Sequence, residues 1–232
     1  MKRLLEALFP RGAECLACGD PRRADTVYCL CPDCRAALLK LRLRENTCLT
    51  CMHPLNRRGI CPFCKAGGMA GLQAGYGAYL YGGVSRQLIH ALKFEYSDEA
   101  ATALAAAMSQ CFPEKTYDAL VPVPLHRARQ RRRGANQAAV LCREVSGRTG
   151  LPVLNALERT RATAAQAQLE KKRRQENVQD AFALSAEVEG MRLLLVDDVR
   201  TTGATARACA AALMAGGAQY VGILTAAIAV RL

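Results

Sequence analysis

The sequence predicts an α/β fold, a parallel sheet with helices on both faces, preceded by a small N-terminal cysteine-rich module. From Tyr76 onward, short apolar stretches alternate with helix-like stretches, as in parallel sheets covered by helices. Before about Gly71 the chain shows little apolar periodicity and holds nine of the 12 cysteines. We therefore expect two domains, residues 1–71 and 76–232, separated by a glycine-rich passage.

The elements of the second domain follow from hydrophobic periodicity and turn residues. We predict helices over 84–108, 136–145 and 204–215, and strands over 119–121, 151–154, 192–196 and 220–230. Ser97-Asp98-Glu99 interrupts or restarts the first helix, with Ser97 or Asp98 as its N-cap. Residues 159–180 are polar, basic and rich in Ala and Gln, and predict a mobile loop with some helix.

Composition excludes several classes of protein. Of 232 residues, 51% are hydrophobic and 22% are charged, which argues against a disordered chain. No run of 18 apolar residues occurs, so we expect no membrane span. Residues 1–10 lack the long apolar stretch of a secretory signal, so we expect a cytoplasmic protein. In a reducing compartment, paired cysteines are expected to bind metal rather than form disulfides.

Positive charge is concentrated in two places. The formal net charge is +12, and residues 126–174 hold 13 basic and three acidic side chains. The run Arg127, Arg129, Arg131, Arg132 and Arg133 contains no acidic residue. This clustering favours binding of a polyanion, either phosphate groups or nucleic acid. Aromatic residues make up only 5% and Trp is absent, which weakens the case for base stacking.

Eight cysteines form four Cys-x-x-Cys pairs, namely Cys15/Cys18, Cys31/Cys34, Cys48/Cys51 and Cys61/Cys64. One such pair delivers two thiolates, and tetrahedral zinc takes four, so four pairs predict two closed structural zinc sites. Sequential pairing leaves 12 and nine residues between the pairs. Interleaved pairing stays open, as do Cys29 in place of Cys31 and His53 as a substitute ligand. Redox motifs are disfavoured because they need a βαβ context that this region lacks.

An apolar stretch leads directly into a polar loop before the last predicted helix. The loop reads Asp197-Asp198-Val199-Arg200-Thr201-Thr202-Gly203-Ala204-Thr205. Such a loop lies in a crevice at the carboxyl end of a parallel strand. Helix amides and threonine hydroxyls there form an anion cradle, and Gly203 permits the turn. Two carboxylates would repel a bare anion, so the ligand should also carry hydroxyls or a divalent cation. Ribose 5-phosphate meets both needs. A P-loop ATPase is excluded because GxxxxGK[ST] is absent.

This segment resembles the phosphoribosyl-pyrophosphate binding loop of type I phosphoribosyltransferases. Nearly the whole chain is similar to one branch of them, the ComF family of competence proteins, which includes GntX-like proteins and carries an N-terminal zinc module. The matching residues are Tyr81, Gly82, Arg86, Leu92, Lys93, Val121 to His126, Arg133, Gly134, Asn136, Gln137, Gln166, Leu169, Arg174 and Asn177. Ala135 departs from the family pattern, which commonly has an aromatic residue there.

The resemblance implies a type I phosphoribosyltransferase-like sheet and a double zinc ribbon, and it assigns roles to residues. Asp197 and Asp198 would bind the ribose hydroxyls as the catalytic pair, and residues 199–205 would bind phosphoribosyl pyrophosphate through its 5-phosphate. The pyrophosphate loop would be Pro124, Leu125, His126 and Arg127, with Mg²⁺ bridging diphosphate and ribose. Residues 159–174 match the mobile hood over the site. Further candidates are Lys93, Arg133, Gln166 and Arg174.

Three functions fit these features. One is phosphoribosyl transfer, in nucleotide salvage or carbon metabolism. Another is a role in natural competence, with a phosphoribosyl-pyrophosphate pocket and contacts to imported single-stranded DNA and other competence proteins. The last is a zinc-stabilised scaffold with a vestigial pocket. The acceptor substrate and the oligomeric state are not encoded in any motif of this sequence.

Overall fold

A four-stranded parallel sheet forms the centre of the molecule. The computed structural model describes residues 14–20, 29–43, 45–95, 97–125, 135–160 and 181–230. The sheet strands are β1 (Ala74–Leu80), β2 (Ala119–Pro122), β5 (Arg192–Arg200) and β6 (Tyr220–Ile228). Their order is β1-β6-β5-β2, and every pairing is parallel. A short antiparallel hairpin, β3 (Leu157–Arg159) with β4 (Phe182–Leu184), lies apart from it.

Helices cover both faces of the sheet. The helices are α1 (Pro32–Lys40), α2 (Pro62–Lys65), α3 (Gly83–His90), α4 (Asp98–Met108), α5 (Gln137–Thr149) and α6 (Ala204–Ala215). Along β5, Leu194 and Val196 join a core with α3, α4 and α5, whereas Leu193 and Leu195 join a core with α6 and the hairpin. This alternation follows from the two-residue period of a strand. The predicted α/β architecture with helices on both faces is confirmed.

Two helices begin at residues whose side chains cap them, and the cap at Ser97 was predicted. Ser97 is the N-cap of α4, and its hydroxyl accepts a hydrogen bond from the Ala100 amide at 3.1 Å. Asn136 caps α5 through the Ala138 amide. The helix predicted over 84–108 consists of α3, a π-helical turn (Ala91–Glu95) and α4. These helix starts could be predicted because each capping side chain binds a free backbone amide only two or three residues further along the chain.

Strand β1 and the β3–β4 hairpin were not predicted from the sequence, and one predicted strand is not formed. Gly75 and Gly77 lie inside β1 instead of a turn-rich passage, so the gap between the predicted domains overlaps the start of this strand. The strand predicted over 151–154 is only a single bridge between Leu120 and Val153. The division into two domains stays a prediction.

The cysteine-rich segment contacts the sheet closely. The Leu43 amide donates to the Ala78 carbonyl and the Leu80 amide to the Leu41 carbonyl, so residues 41–43 cover the outer edge of β1. The Gly75 amide donates to the Thr50 carbonyl at 2.7 Å. A Cβ at residue 75 would lie 3.3 Å from Cα of Cys51. Glycine at this position is what allows the two backbones to approach.

Within the described ranges, none of the helices combines the length and the apolar character needed to cross a membrane.

Candidate ligand site and metal clusters

The crevice lies at the carboxyl end of β5. The strand was predicted to end at Val196, but it continues through both aspartates to Arg200, because β6 pairs with it as far as Ile228. Asp197 is therefore the partner of Thr225 within the sheet. The crevice encloses about 310 Å³ of space, part of it open to solvent. It is lined by Asp197, Val199, Arg200, Thr201, Thr202, Gly203, Ala204, Thr205, Ala206, Ile223 and Thr225.

The Thr loop, residues 201–205, turns the chain from β5 into α6. Gly203 is the N-cap of α6 with φ of 70°, a left-handed conformation that favours glycine, and it offers no capping side chain. The Ala204 amide makes a long 3.4 Å bond to the Thr202 hydroxyl. Thr201 and Thr202 are exposed. The first turn of a 12-residue helix thus faces the crevice with its partial positive charge, as the sequence predicted for an anion cradle.

The two aspartates occupy different electrostatic environments. The Asp198 amide donates to Oδ1 of Asp197 at 2.8 Å. Lys93 Nζ lies 2.8 Å from Oδ2 of Asp198, and both side chains are largely buried. Burial, and next the Asp198 charge, raise the pKa of Asp197 to about 7, against the opposing effects of its own hydrogen bond, Lys93 and Arg159. The pair can therefore hold one shared negative charge near neutral pH at modest cost.

Two of the four predicted pyrophosphate-loop residues lie in the described chain. Pro124 and Leu125 follow β2, which neighbours β5, and the Val123 amide donates to the Val196 carbonyl at 3.0 Å. They thus reach the sheet edge that carries the aspartates. His126, Arg127, Arg133, Gln166 and Arg174 lie outside the described residues, as does most of the predicted hood.

Arg200 is oriented differently from the other residues of the predicted ligand loop. Arg200 is 6% exposed, and its guanidinium donates to the Cys51 carbonyl and to Sδ of Met69, although the residue also lines the crevice. The assignment of Arg200 as a ligand contact stays a prediction. Of the loop residues named from sequence, all except Asp198 line the crevice.

Sequence reasoning missed Thr225 and the contact between Lys93 and Asp198. Thr225 is fully buried and its hydroxyl donates to the Tyr76 carbonyl at 3.2 Å. A signal existed, since Thr225 is the one residue with a hydrogen-bonding side chain in the otherwise apolar interior of β6. The Lys93 contact had no such signal, because it joins residues more than 100 positions apart.

The eight paired cysteines form two clusters by sequential pairing. The first cluster is Cys15, Cys18, Cys31 and Cys34, and the second cluster is Cys48, Cys51, Cys61 and Cys64. Within each, all four Sγ atoms lie within 4.8 Å of one another. Measured pairs are 3.9 Å for Cys18–Cys31 and 3.6 Å for Cys51–Cys61, close to the ~3.8 Å between sulfurs of a tetrahedral Zn–S₄ unit. The cysteines therefore fit two zinc ions, and interleaved pairing is wrong.

Backbone amides favour the thiolate form of one cysteine in each cluster. The Cys31 amide donates to Sγ of Cys15, and the Cys61 amide donates to Sγ of Cys48, each at 3.3 Å. Burial acts to raise the pKa of Cys48, but donors led by the Cys61 amide outweigh it and lower the pKa to about 6. The same balance lowers the pKa of Cys15 to about 7. Cys29 and His53 belong to neither cluster among the described residues.

Comparison with known proteins identifies relatives. No protein-family model matches the chain. The DNA utilization protein YhgH of Salmonella typhimurium is 37% identical over 142 residues, covering 58% of this chain and 63% of that protein. Competence protein F of Haemophilus influenzae is 42% identical over 95 residues, 39% of this chain and 42% of that protein. Competence protein ComFC of Bacillus subtilis is 28% identical over 199 residues, 81% of this chain and 79% of that protein.

The chain is similar in sequence to YhgH and to the competence proteins F and ComFC. The resemblance read from the sequence motifs is thereby confirmed. The match with YhgH spans less than two thirds of that relative's length. The activity of these relatives as whole proteins is therefore a proposal for this chain.

Solved structures similar to part of the chain include a phosphoribosylpyrophosphate amidotransferase and a hypoxanthine phosphoribosyltransferase. The glutamine phosphoribosylpyrophosphate amidotransferase of B. subtilis has a TM-score of 0.39 and 20% identity, covering 54% of this chain and 26% of that one. A hypoxanthine phosphoribosyltransferase from Staphylococcus aureus has a TM-score of 0.31 and 14% identity, covering 56% and 63%. The fold described above rests on the chain's own sheet and not on these scores.

Proposed function

We propose that the crevice binds phosphoribosyl pyrophosphate, and that this type I phosphoribosyltransferase-like protein acts in the use of imported single-stranded DNA. One observation carries the first part. Asp197 and the amide end of a 12-residue helix line the same crevice, and Asp198 follows Asp197 directly in the strand. That combination suits a ligand with both sugar hydroxyls and a phosphate group.

The two ends of the ligand have separate partners in this proposal. Asp197 and Asp198 accept hydrogen bonds from the ribose hydroxyls, which need an acceptor rather than a strong charge. The raised pKa of Asp197 suits this role, because a half-neutralised pair repels the nearby phosphate less. The Thr loop and the first turn of α6 hold the 5-phosphate through amides and hydroxyls.

Positive charge for the diphosphate comes from residues around the crevice. Lys93 already lies at Asp198, so a diphosphate could draw its ammonium group away from the carboxylate. Pro124 and Leu125 begin the proposed pyrophosphate loop, which continues through His126 and Arg127. An arginine in that loop would bind two phosphate oxygens through its planar guanidinium.

The carboxylate oxygens of Asp197 and Asp198 are also donors that suit Mg²⁺, which prefers oxygen ligands and retains several waters. When bound, Mg²⁺ would neutralise the diphosphate. The chain's own contribution to any transfer reaction is to hold the ribose so that a nucleophile reaches the anomeric carbon opposite the departing diphosphate. In this proposal Asp197 and Asp198 hold the ribose, and the acceptor supplies the nucleophile.

The role in DNA use rests on the relatives and on charge. The relatives are named for DNA utilization and competence, and residues 126–174 carry a large excess of positive charge. Backbone phosphates of single-stranded DNA are a partner of matching chemistry. The finer proposal, a cytoplasmic protein that receives imported strands together with other competence proteins, follows from these two points.

The test is calorimetric titration of phosphoribosyl pyrophosphate, with and without Mg²⁺, into the zinc-loaded full chain. We expect saturable, Mg²⁺-dependent binding that is lost in the Asp197→Asn/Asp198→Asn variant. The matched control is Glu187→Gln/Glu189→Gln, which removes two exposed carboxylates just before β5, at its other end. Absence of binding by the folded wild type would contradict the proposal.

The alternative is a nucleic-acid-binding protein with a non-catalytic pocket, favoured by the same charge excess. It predicts single-stranded DNA binding that weakens steeply with salt and survives the double aspartate change. Fluorescence anisotropy at several salt concentrations separates the two. Strand binding without phosphoribosyl-pyrophosphate binding would favour this alternative.

A further inference from the structure

Two arginines connect the ligand loop to the second cysteine cluster. Arg200, the last residue of β5, donates to the carbonyl of Cys51, a residue whose Sγ belongs to the cluster. Arg207, in the second turn of α6, donates from one nitrogen to the Gly68 carbonyl and to the Thr202 carbonyl, each at 2.9 Å. The Thr loop is therefore held at both of its ends by bonds that involve the segment carrying the second cluster.

Arg200 is a charged residue in a buried position. A charged guanidinium that is 6% exposed is costly unless anionic or polar groups compensate it. Its Nε has no hydrogen-bond partner among the described residues, and its other nitrogens bond only to a carbonyl and a thioether. A zinc ion bound by four thiolates carries net negative charge. The metal-loaded second cluster is the group at hand that can balance this buried cation.

The packing agrees with the hydrogen bonds. Cys48, Cys51, Cys61 and Met69 share one core with Ala206 and the inner face of α6. Cys15 and Cys31 of the first cluster join the other core, with α3 and α4. The two clusters therefore support opposite faces of the sheet, and only the second adjoins the Thr loop.

We propose that Arg200 and Arg207 are positioning residues that make the conformation of the Thr loop depend on metal in the second cluster. This inference rests on the proposed function, since it concerns the same crevice. Arg200 holds the end of β5 and Arg207 holds the carbonyl of Thr202, so the amides of the first turn of α6 keep a fixed direction. Metal loss removes the negative charge that keeps Arg200 buried, and the loop then loses its fixed attachment.

The experiment measures hydrogen exchange of residues 200–208 in the zinc-loaded full chain, and phosphoribosyl-pyrophosphate affinity in parallel. Arg200→Met, Arg207→Met and Cys61→Ser are the test variants. Arg42→Met is the matched control, because Arg42 also bonds from the cysteine-rich segment to the helical part, at Ala107 and Gln110, far from the loop. Cys31→Ser is the control for the clusters.

We expect exchange in this segment to rise about tenfold or more in the three test variants and to stay at the wild-type rate in both controls. Affinity should fall in the same variants. If Arg200→Met or Cys61→Ser does not fold, Arg207→Met and zinc removal from the wild type by a chelator give the same readout. Unchanged exchange after loss of the second zinc, or equal increases in the controls, would overturn the inference.

The two proposals fail separately. A wild type that does not bind phosphoribosyl pyrophosphate but shows the expected exchange pattern contradicts only the proposed function. A wild type that binds it, with loop exchange indifferent to the second cluster, contradicts only this inference.

Discussion

At the scale of single residues, Asp197 and Asp198 show how position within a strand changes the chemistry of a carboxyl group. Both follow an apolar run and both are half-buried, but desolvation and the Asp198 charge raise the pKa of Asp197, while Asp198 contacts Lys93. The sequence could predict that two acids stand at a strand end. It could not predict which one carries the perturbed pKa, because Lys93 and Arg159 reach the site from other elements.

A pH dependence follows from Asp197. Its pKa of about 7 in the folded chain exceeds its ordinary value of 3.8, so folding favours the protonated form. The associated stability is complete below about pH 4 and is lost as pH rises through about 7. In urea titrations across this range, Asp197→Asn should reduce the fall of the free energy of unfolding with pH. For one proton that fall is at most roughly 1.4 kcal/mol per pH unit. Superimposable profiles for wild type and variant would contradict this; Glu187→Gln is the control.

Removal of the Lys93 charge should affect the same pair. Lys93→Met leaves Asp198 without its cation in a largely buried site, so we expect the free energy of unfolding at pH 8 to fall by about 1–3 kcal/mol. The pKa of Asp197 should rise further, since Lys93 lowers it. Glu95→Gln is the control, because its pair with His90 is exposed and should contribute less than about 0.5 kcal/mol. Equal losses of stability in both variants would show that the buried Lys93–Asp198 pair contributes no more than the exposed His90–Glu95 pair.

At the scale of elements, the sequence predicted those that carry local signals. Helices α4 and α5 have capping side chains, and β5 and α6 have apolar runs bounded by polar loops. Strand β1 was missed because its glycines resemble those of a turn. The structure shows why glycine is needed at residue 75: the backbone of Cys51 approaches it closely. Tertiary contact overrode local propensity there.

Gly75 can be tested against a second glycine. Gly75→Ala places a Cβ 3.3 Å from Cα of Cys51 and should lower the free energy of unfolding by about 1–3 kcal/mol. Gly147 is exposed within α5 and a Cβ there meets nothing within 4 Å, so Gly147→Ala should raise stability by about 0.5–1 kcal/mol. Chemical denaturation measures both. An unchanged free energy of unfolding in Gly75→Ala would mean that the cysteine-rich segment can shift at this contact without loss of stability.

At the scale of the whole molecule, the two clusters were predictable and their attachment was not. Spacing of the cysteine pairs indicates ion binding, but nothing in a Cys-x-x-Cys pair says which face of a sheet it will support. The first and second clusters join different cores. Each should therefore stabilise a different half of the molecule.

Metal content should reflect this arrangement. We expect two zinc ions per chain, and one in either Cys31→Ser or Cys61→Ser, when protein purified under reducing conditions is analysed for metal. Chelation should lower the Tm, because metal that binds only the folded chain stabilises it. Near-zero zinc with an unchanged Tm after chelation would rule out a structural role for both clusters.

The strand order carries a consequence for biosynthesis. β6 is the last strand of the sheet along the chain, yet it lies in the interior between β1 and β5. Until β6 has been synthesised, β1 and β5 have no common neighbour, and the backbone N–H and C=O groups that will pair with β6 are unpaired. The sheet can close only once residues 220–228 have emerged, so nascent chains halted before them should depend on chaperones to stay unaggregated.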